Sequence, residues 1–297
     1  MQFRLVGGGS VAVLLSLFAG GARAQSVTEA LSPRSVGMGE SLRAAATGAL
    51  APLLNPAGVA LTKSYVFEGF YGFRPEDKSH VQAVSLCDSV TTNVAACLSY
   101  DHLSASPEYT LGTGDRSSHR FSLTTAMPVS DAIFFGITQK YVIYSAKMML
   151  DPVVQVEKKG YLIDAGLTIK LTDTLNLGVA GYNLIGADDD AYTRALGGGL
   201  AWNVLPNFLV AFDARYNFMT DTTRLGGGME FFWNSSDDVG VPLRFGYVYD
   251  SAGNVSALTG GLGFVSSRVG IDLGLRKAVA NGDELMMQAS LRLFFPN

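Results

Sequence analysis

This chain of 297 residues is short of the side chains that carry most catalytic and metal chemistry. It holds two cysteines and three histidines, and only 16% of its residues are charged. A soluble domain carries about 25% charge. Cys87 and Cys97 form no CxxC, and His80, His102 and His119 make no cluster with ligand spacing, so no metal and no cofactor is expected. The runs Gly197-Gly198-Gly199 and Gly226-Gly227-Gly228 are not followed by a phosphate-loop lysine. The net charge of −4 provides no basic surface for nucleic acid. Long apolar runs are missing too. Hydrophobic residues make up 48% and mean hydropathy is +0.23, yet no window has the roughly 18 uninterrupted apolar residues of a membrane-spanning helix.

What is present is alternation. Leu285, Met287, Ala289, Leu291, Leu293 and Phe295 share one parity, and Gln288, Ser290 and Arg292 share the other. A side-chain period of two is that of a strand, here with one greasy and one polar face. The pattern recurs back to Tyr65. Only helices and closed sheets satisfy every backbone group in lipid, so an apolar chain without a spanning helix reads as an all-β, antiparallel transmembrane barrel. Residues 1–24 read as a cleaved signal peptide, with Arg4 as its positive end and Ala22-Arg23-Ala24 as the cleavage site. Export and a barrel together place the protein in a bacterial outer membrane. Its expected surroundings are lipid, lipopolysaccharide and the barrel-assembly machinery.

About fourteen strand-like runs are legible. They begin near Tyr65, His80, Asn93, Ser117, Ala132, Gly160, Thr174, Thr193, Asn207, Thr222, Val241, Val255, Arg268 and Leu285. An even count returns the chain to the side from which it starts. Residues 101–115, 148–158 and 186–192 read as outer loops. Residues 89–92, 128–131 and 172–174 read as short periplasmic turns, with 234–240 a longer one. In this orientation Trp202, Trp233, Phe264 and Phe295 fall at periplasmic strand ends. Phe73, Tyr100, Tyr216, Phe218 and Tyr249 fall at outer ends. All share the apolar parity, as two aromatic girdles require. The apolar outer loop, with Met148, Met149, Leu150, Val153 and Val154 around Asp151-Pro152, is a candidate contact for a greasy ligand or a partner. The acidic run 188–190 reads as a solvated loop.

The inward parity collects charges of both signs: Glu68, Arg120, Lys140, Asp164, Lys170, Asp213, Arg215, Glu230, Arg244, Asp272, Arg276 and Arg292. Unpaired charges in a narrow lumen are costly, so ion-paired ladders are expected. Cys87 and Cys97 lie on neighbouring strands with lumen parity, and are candidates for a cross-strand disulfide in an oxidising compartment. Asp101-His102 and Ser117-Ser118-His119 gather at one outer hairpin. They could be read as an acid–base pair with a nucleophile, but hairpin tips commonly collect such residues, and no enzyme is expected.

Residues 25–64 lack the strand period and read as a lumenal or periplasmic hatch before a barrel of residues 65–297. They contain Arg34-Ser35-Val36-Gly37-Met38-Gly39, an alanine-rich stretch expected to be a short helix at 41–51, and Asn55-Pro56-Ala57-Gly58 just before the first strand. Here the chain resembles the FadL-type outer-membrane barrels and the related PorV-type barrels of secretion machinery. The end, Gln288-x-Ser290-x-x-Leu293-x-Phe295, also resembles the terminal motif of such barrels, with serine in place of glycine. The resemblance implies fourteen strands around an N-terminal plug that carries Gly37, Gly39, Asn55, Pro56, Ala57 and Gly58. FadL-type barrels imply a conduit for small hydrophobic molecules. PorV-type barrels imply a non-conducting anchor for envelope-machine proteins in secretion or surface motility.

Overall fold

The computed structural model describes residues 32–109, 112–148, 153–186, 192–236 and 238–295. The expectations for the signal peptide, Met149, Leu150, Asp151, Pro152 and the acidic run 188–190 lie outside these residues.

Fourteen strands form the wall: β1 (Tyr65–Arg74), β2 (Ser79–Asp88), β3 (Ala95–Ala105), β4 (Gly112–Pro128), β5 (Ile133–Met148), β6 (Val154–Lys170), β7 (Leu175–Ile185), β8 (Ala195–Leu205), β9 (Phe208–Asn217), β10 (Thr222–Ser236), β11 (Val239–Asp250), β12 (Val255–Ser266), β13 (Val269–Ala280) and β14 (Leu285–Phe295). Each pairs antiparallel with the next. β1 also pairs with β14, from Tyr65↔Phe295 to Phe73↔Met287, so the ring closes. A two-residue strand, Glu108–Tyr109, folds back on the start of β4 outside the ring.

The wall is greasy outside and polar inside because each strand alternates. On β13, Ile271, Leu273 and Leu275 are exposed while Asp272 and Arg276, of the other parity, are buried. Trp202, Trp233, Phe264 and Phe295 all stand exposed on the outer face near the short-turn end. Tyr216 and Phe218 meet edge to face at 5.1 Å at the opposite end. Phe73 and Tyr249 also sit there, Tyr249 donating to Asn254 Oδ1 at 2.8 Å.

Five expectations are corrected. Tyr100 faces outward but sits at the middle of β3, because Asp101 to Ala105 continue the ladder against Arg120 to Arg116. Polar residues on both faces there imitate a loop. Similarly, β4 begins at Gly112 and β6 at Val154, so the supposed loops 101–115 and 148–158 are mostly strand. The supposed 234–240 turn is strand up to Ser236 and again from Val239. Met148 is no loop contact: it ends β5 with its side chain buried in the lumen, whereas Val153 is exposed. Finally, 41–51 is not one helix. A short α1 (Pro33–Gly37) and α2 (Ala51–Leu54) flank turns and a 3-10 turn at Gly48–Leu50. Gly39 and Glu40 have φ of 63° and 61°, which reverses the chain. The backbone N–H of Arg43 is spent on Asp213 instead of a helical carbonyl.

The hatch packs inside the ring from the short-turn end and reaches Arg224, near the opposite end of β10. Val36, Met38, Leu42, Leu50, Leu54 and Val59 are buried against Val66, Cys87, Cys97, Ala126, Leu209 and Ala211 of the wall. Cys87 and Cys97 are Cα partners across β2 and β3 and are joined by a disulfide.

The outward face at mid-strand should treat charge as lipid does. Leu273→Arg is expected to lower unfolding stability in vesicles by about 2–4 kcal/mol, measured by urea titration. A change near zero would place that face in water.

Candidate functional site: the lumen and its hatch

Three anchors hold the hatch. The first begins at α1, which leans on β11 to β14. Arg34 grips Glu230 with two bonds, Nη2 to Oε1 at 2.8 Å and Nε to Oε2 at 3.1 Å. Glu230 also accepts from Arg244 Nε at 2.6 Å, Arg244 Nη1 reaches Asp272 Oδ1 at 2.6 Å, and Arg292 closes the relay on Asp272. Opposite the reversal at Gly39, the wall presents glycine. A Cβ on Gly246 would lie 2.5 Å from Gly39 N, and one on Gly228 would strike Met38. Thr259 Oγ1 accepts from Gly39 N–H at 3.1 Å and donates to Gly37 O at 3.2 Å.

Glu40 and Arg43 make the second anchor. Glu40 pairs with Arg224 at 3.1 Å and Arg276 at 3.3 Å, and Arg224 in turn holds Asp250 at 2.6 Å. Burial pushes the Glu40 carboxyl up, but the Arg224 and Arg276 guanidiniums outweigh it and hold the group below the usual carboxylate range. Arg43 donates to Asp213 from its backbone N–H (3.0 Å) and its Nη1 (2.8 Å), and from Nε to Tyr182 Oη at 2.8 Å. The Tyr182 hydroxyl donates onward to Leu54 O. Arg215 stacks on the Tyr182 ring at 5.0 Å.

Asn55 is the third anchor. Its Nδ2 donates to Arg43 O (2.9 Å), Leu167 O (3.1 Å) and Thr168 Oγ1 (2.9 Å), while its Oδ1 accepts from Ala57 N–H at 3.2 Å. One side chain thus binds two parts of the hatch to β6. Gly136 and Gly166 give Pro56 room to lie on the wall, and Gly58 packs against Ala46 and Ala51.

Two further inward groups are paired within the wall. Lys140 meets Asp164 Oδ1 and Asn183 Oδ1, each at 2.6 Å, and Arg120 meets Asp101 at 2.7 Å. Lys170 is exposed at the periplasmic mouth, 4.8 Å from the centre of the Phe134 ring. Glu68 lines a cavity beside the hatch. Sequence reasoning missed Arg34, Glu40, Arg43 and Tyr182, the partners that join plug to wall. The excess of inward charge on β9 to β14 was their only trace.

Alternation separates the residues of the hairpin that resembled a catalytic group. Asp101 points inward to Arg120, whereas His102 points outward and stacks on His119 at 4.4 Å. His80 is elsewhere, bound to Tyr71 Oη at 2.6 Å.

The upper lumen has a different character. Val142, Tyr144, Ala146 and Met148 are successive inward residues of β5, and with Leu162 and Tyr192 they form a buried apolar cluster.

The lowered pKa of Glu40 has a pH signature. Its contribution to hatch docking is complete above the ordinary value of 4.5 and is lost as pH falls below it through the lower docked value. Protease resistance of residues 32–60 should therefore fall in that acid range, and Glu40→Gln should flatten that part of the profile. Asn55→Ala should weaken docking by about 3 kcal/mol, since two donor hydrogens shared among three acceptors and one accepted bond vanish. Amide exchange across the hatch reads this directly.

A family described as "Putative MetA-pathway of phenol degradation" matches residues 98–235. No curated protein matches the chain. Among solved structures, the toluene transporter TbuX of Ralstonia pickettii has a TM-score of 0.77 at 15% identity, over 91% of this chain and 100% of its own. The toluene transporter TodX of Pseudomonas putida has a TM-score of 0.71 at 15% identity, over 90% of this chain and 97% of its own. A FadL homologue of Pseudomonas aeruginosa has a TM-score of 0.65 at 9% identity, over 89% and 98% respectively. The closed ladder, the greasy wall and these likenesses give the chain the fold of a FadL-type outer-membrane barrel, fourteen strands around an N-terminal hatch.

Proposed function

We propose that the barrel is an outer-membrane conduit for small hydrophobic molecules. The apolar stripe on the outer half of β5 carries this reading. A barrel that served only as an anchor has no need of four consecutive apolar inward side chains, Val142, Tyr144, Ala146 and Met148, above the ion pairs of Lys140 with Asp164 and Arg120 with Asp101. The stripe gives a hydrophobic solute a surface to leave water for, at about 25 cal/mol per Å² of apolar area covered. It descends to Lys140, Asp164 and Asn183, beside Pro52, Leu53 and Leu54 of the hatch. The toluene transport named for TbuX and TodX supports the same solute class. Lipid and lipopolysaccharide surround such a barrel, and the barrel-assembly machinery inserts it.

Uptake of a labelled monoaromatic hydrocarbon by cells carrying the barrel tests the reading. Ala146→Asp puts a charge in the stripe and should slow uptake about tenfold or more, equivalent to about 1.4 kcal/mol. Ala146→Val should leave it near wild type. Equal uptake with and without the barrel would favour a non-conducting anchor for an envelope machine.

A further inference from the structure

Strand register brings together two histidines that lie well apart in the chain. His102 of β3 and His119 of β4 are Cα partners, and their rings stack with centres 4.4 Å apart and planes at 23°. Both have the outward parity and are partly exposed. Below them on the same two strands the outward residues are Tyr100, Leu98, Phe121 and Leu123. Above them the outward positions are polar: Ser104, Ser117 and Asp115. His119 stands nine residues along β4 from Pro128, the short-turn end. At about 3.3 Å per residue and a tilt near 45° that is a rise of about 21 Å, near the top of an apolar band about 25 Å tall. The pair therefore faces the outer headgroup layer rather than hydrocarbon.

What holds the near nitrogen of each ring leaves the far one free. His102 Nδ1 lies 3.2 Å from Ser118 O. A carbonyl oxygen only accepts, so Nδ1 carries the proton and Nε2 the lone pair. His119 Nδ1 lies 2.9 Å from Tyr100 Oη, which can accept in the same way. Among the described residues neither Nε2 makes a hydrogen bond. Metal-binding imidazoles use this arrangement: a hydrogen bond on one nitrogen fixes the tautomer and the ring, and the other nitrogen ligates. His80 is placed differently. Its Nδ1 bonds Tyr71 Oη at 2.6 Å, and its ring sits against Tyr71 and Phe73 instead of a second imidazole.

We propose that His102 and His119 form a surface site for one divalent transition-metal ion, Zn²⁺ or Cu²⁺, chelated by their two Nε2 atoms at the outer edge of the membrane band. Imidazole nitrogen suits both ions. Two nitrogens fill half of a four-coordinate shell, and water takes the other positions on the exposed side. The site lies on the outside of the wall, so metal binding there is independent of solute transport through the lumen. Chain spacing gives no sign of it, because the antiparallel ladder, not the interval between the residues, makes the pair.

Titration of the purified full-length barrel, freed of any histidine tag, with Cu²⁺ and with Zn²⁺ tests this by calorimetry, and the electron paramagnetic resonance of bound Cu²⁺ counts its nitrogen ligands. The wild type should bind one ion through two nitrogens. His119→Phe keeps a ring in the stack and removes its nitrogens. It should weaken binding about tenfold or more, equivalent to about 1.4 kcal/mol, and leave a single nitrogen in the spectrum. His102→Phe should do the same and serves if His119→Phe fails to fold, which heat-dependent gel migration reports. His80→Ala should bind as the wild type does. A wild-type barrel that binds no ion, or binds one without two nitrogens, would overturn the proposal. So would equal binding by a folded His102 or His119 variant.

Discussion

An amide or carbonyl that faces hydrocarbon without a partner costs several kcal/mol, and the bilayer has no water to offer it. Closure of β1 on β14 meets that demand for every strand at once, and the rest of the molecule follows from it. A closed ring has one face in lipid and one around an enclosed space. Irregular chain can exist at membrane depth only inside that space, which is where residues 32–64 lie. Their backbone groups are satisfied by turns of their own and by wall side chains such as Thr259 and Asp213.

The lumen charges serve position more than stability. Buried ion pairs roughly repay their own desolvation, and apolar replacements of similar volume are often as stable. They do impose geometry. Arg34 has one bidentate partner, Glu40 sits between two arginines, and Arg43 must satisfy Asp213 and Tyr182 together. A plug held only by leucine and alanine could settle in several ways. With charges at three heights it has one seat. The glycines of β5, β6, β10 and β11 lower the wall wherever that seat brings backbone onto backbone.

Much of this was legible in the sequence. Strand number, closure and the membrane-facing parity all follow from a period-two pattern that lipid enforces on every strand. The limits are equally physical. Asp101 to Ala105 carry polar residues on both faces, so they lose the apolar alternation and resemble a loop. Alanine suggested a helix at 41–51, but the hatch answers to its wall, and the left-handed Gly39–Glu40 pair follows from docking rather than propensity. Pairings such as Arg43 with Asp213, 170 residues apart, leave no mark in a single sequence.

The three tall strands β4, β5 and β6 run to 17, 16 and 17 residues, against 10 in β1, β2 and β9. At about 3.3 Å per residue and a tilt near 45°, the difference raises one side of the rim by about 16 Å. The opening is thus cut obliquely, with a parapet on one flank and a low sill on the other. The hydrophobic stripe of β5 climbs the inner side of that parapet.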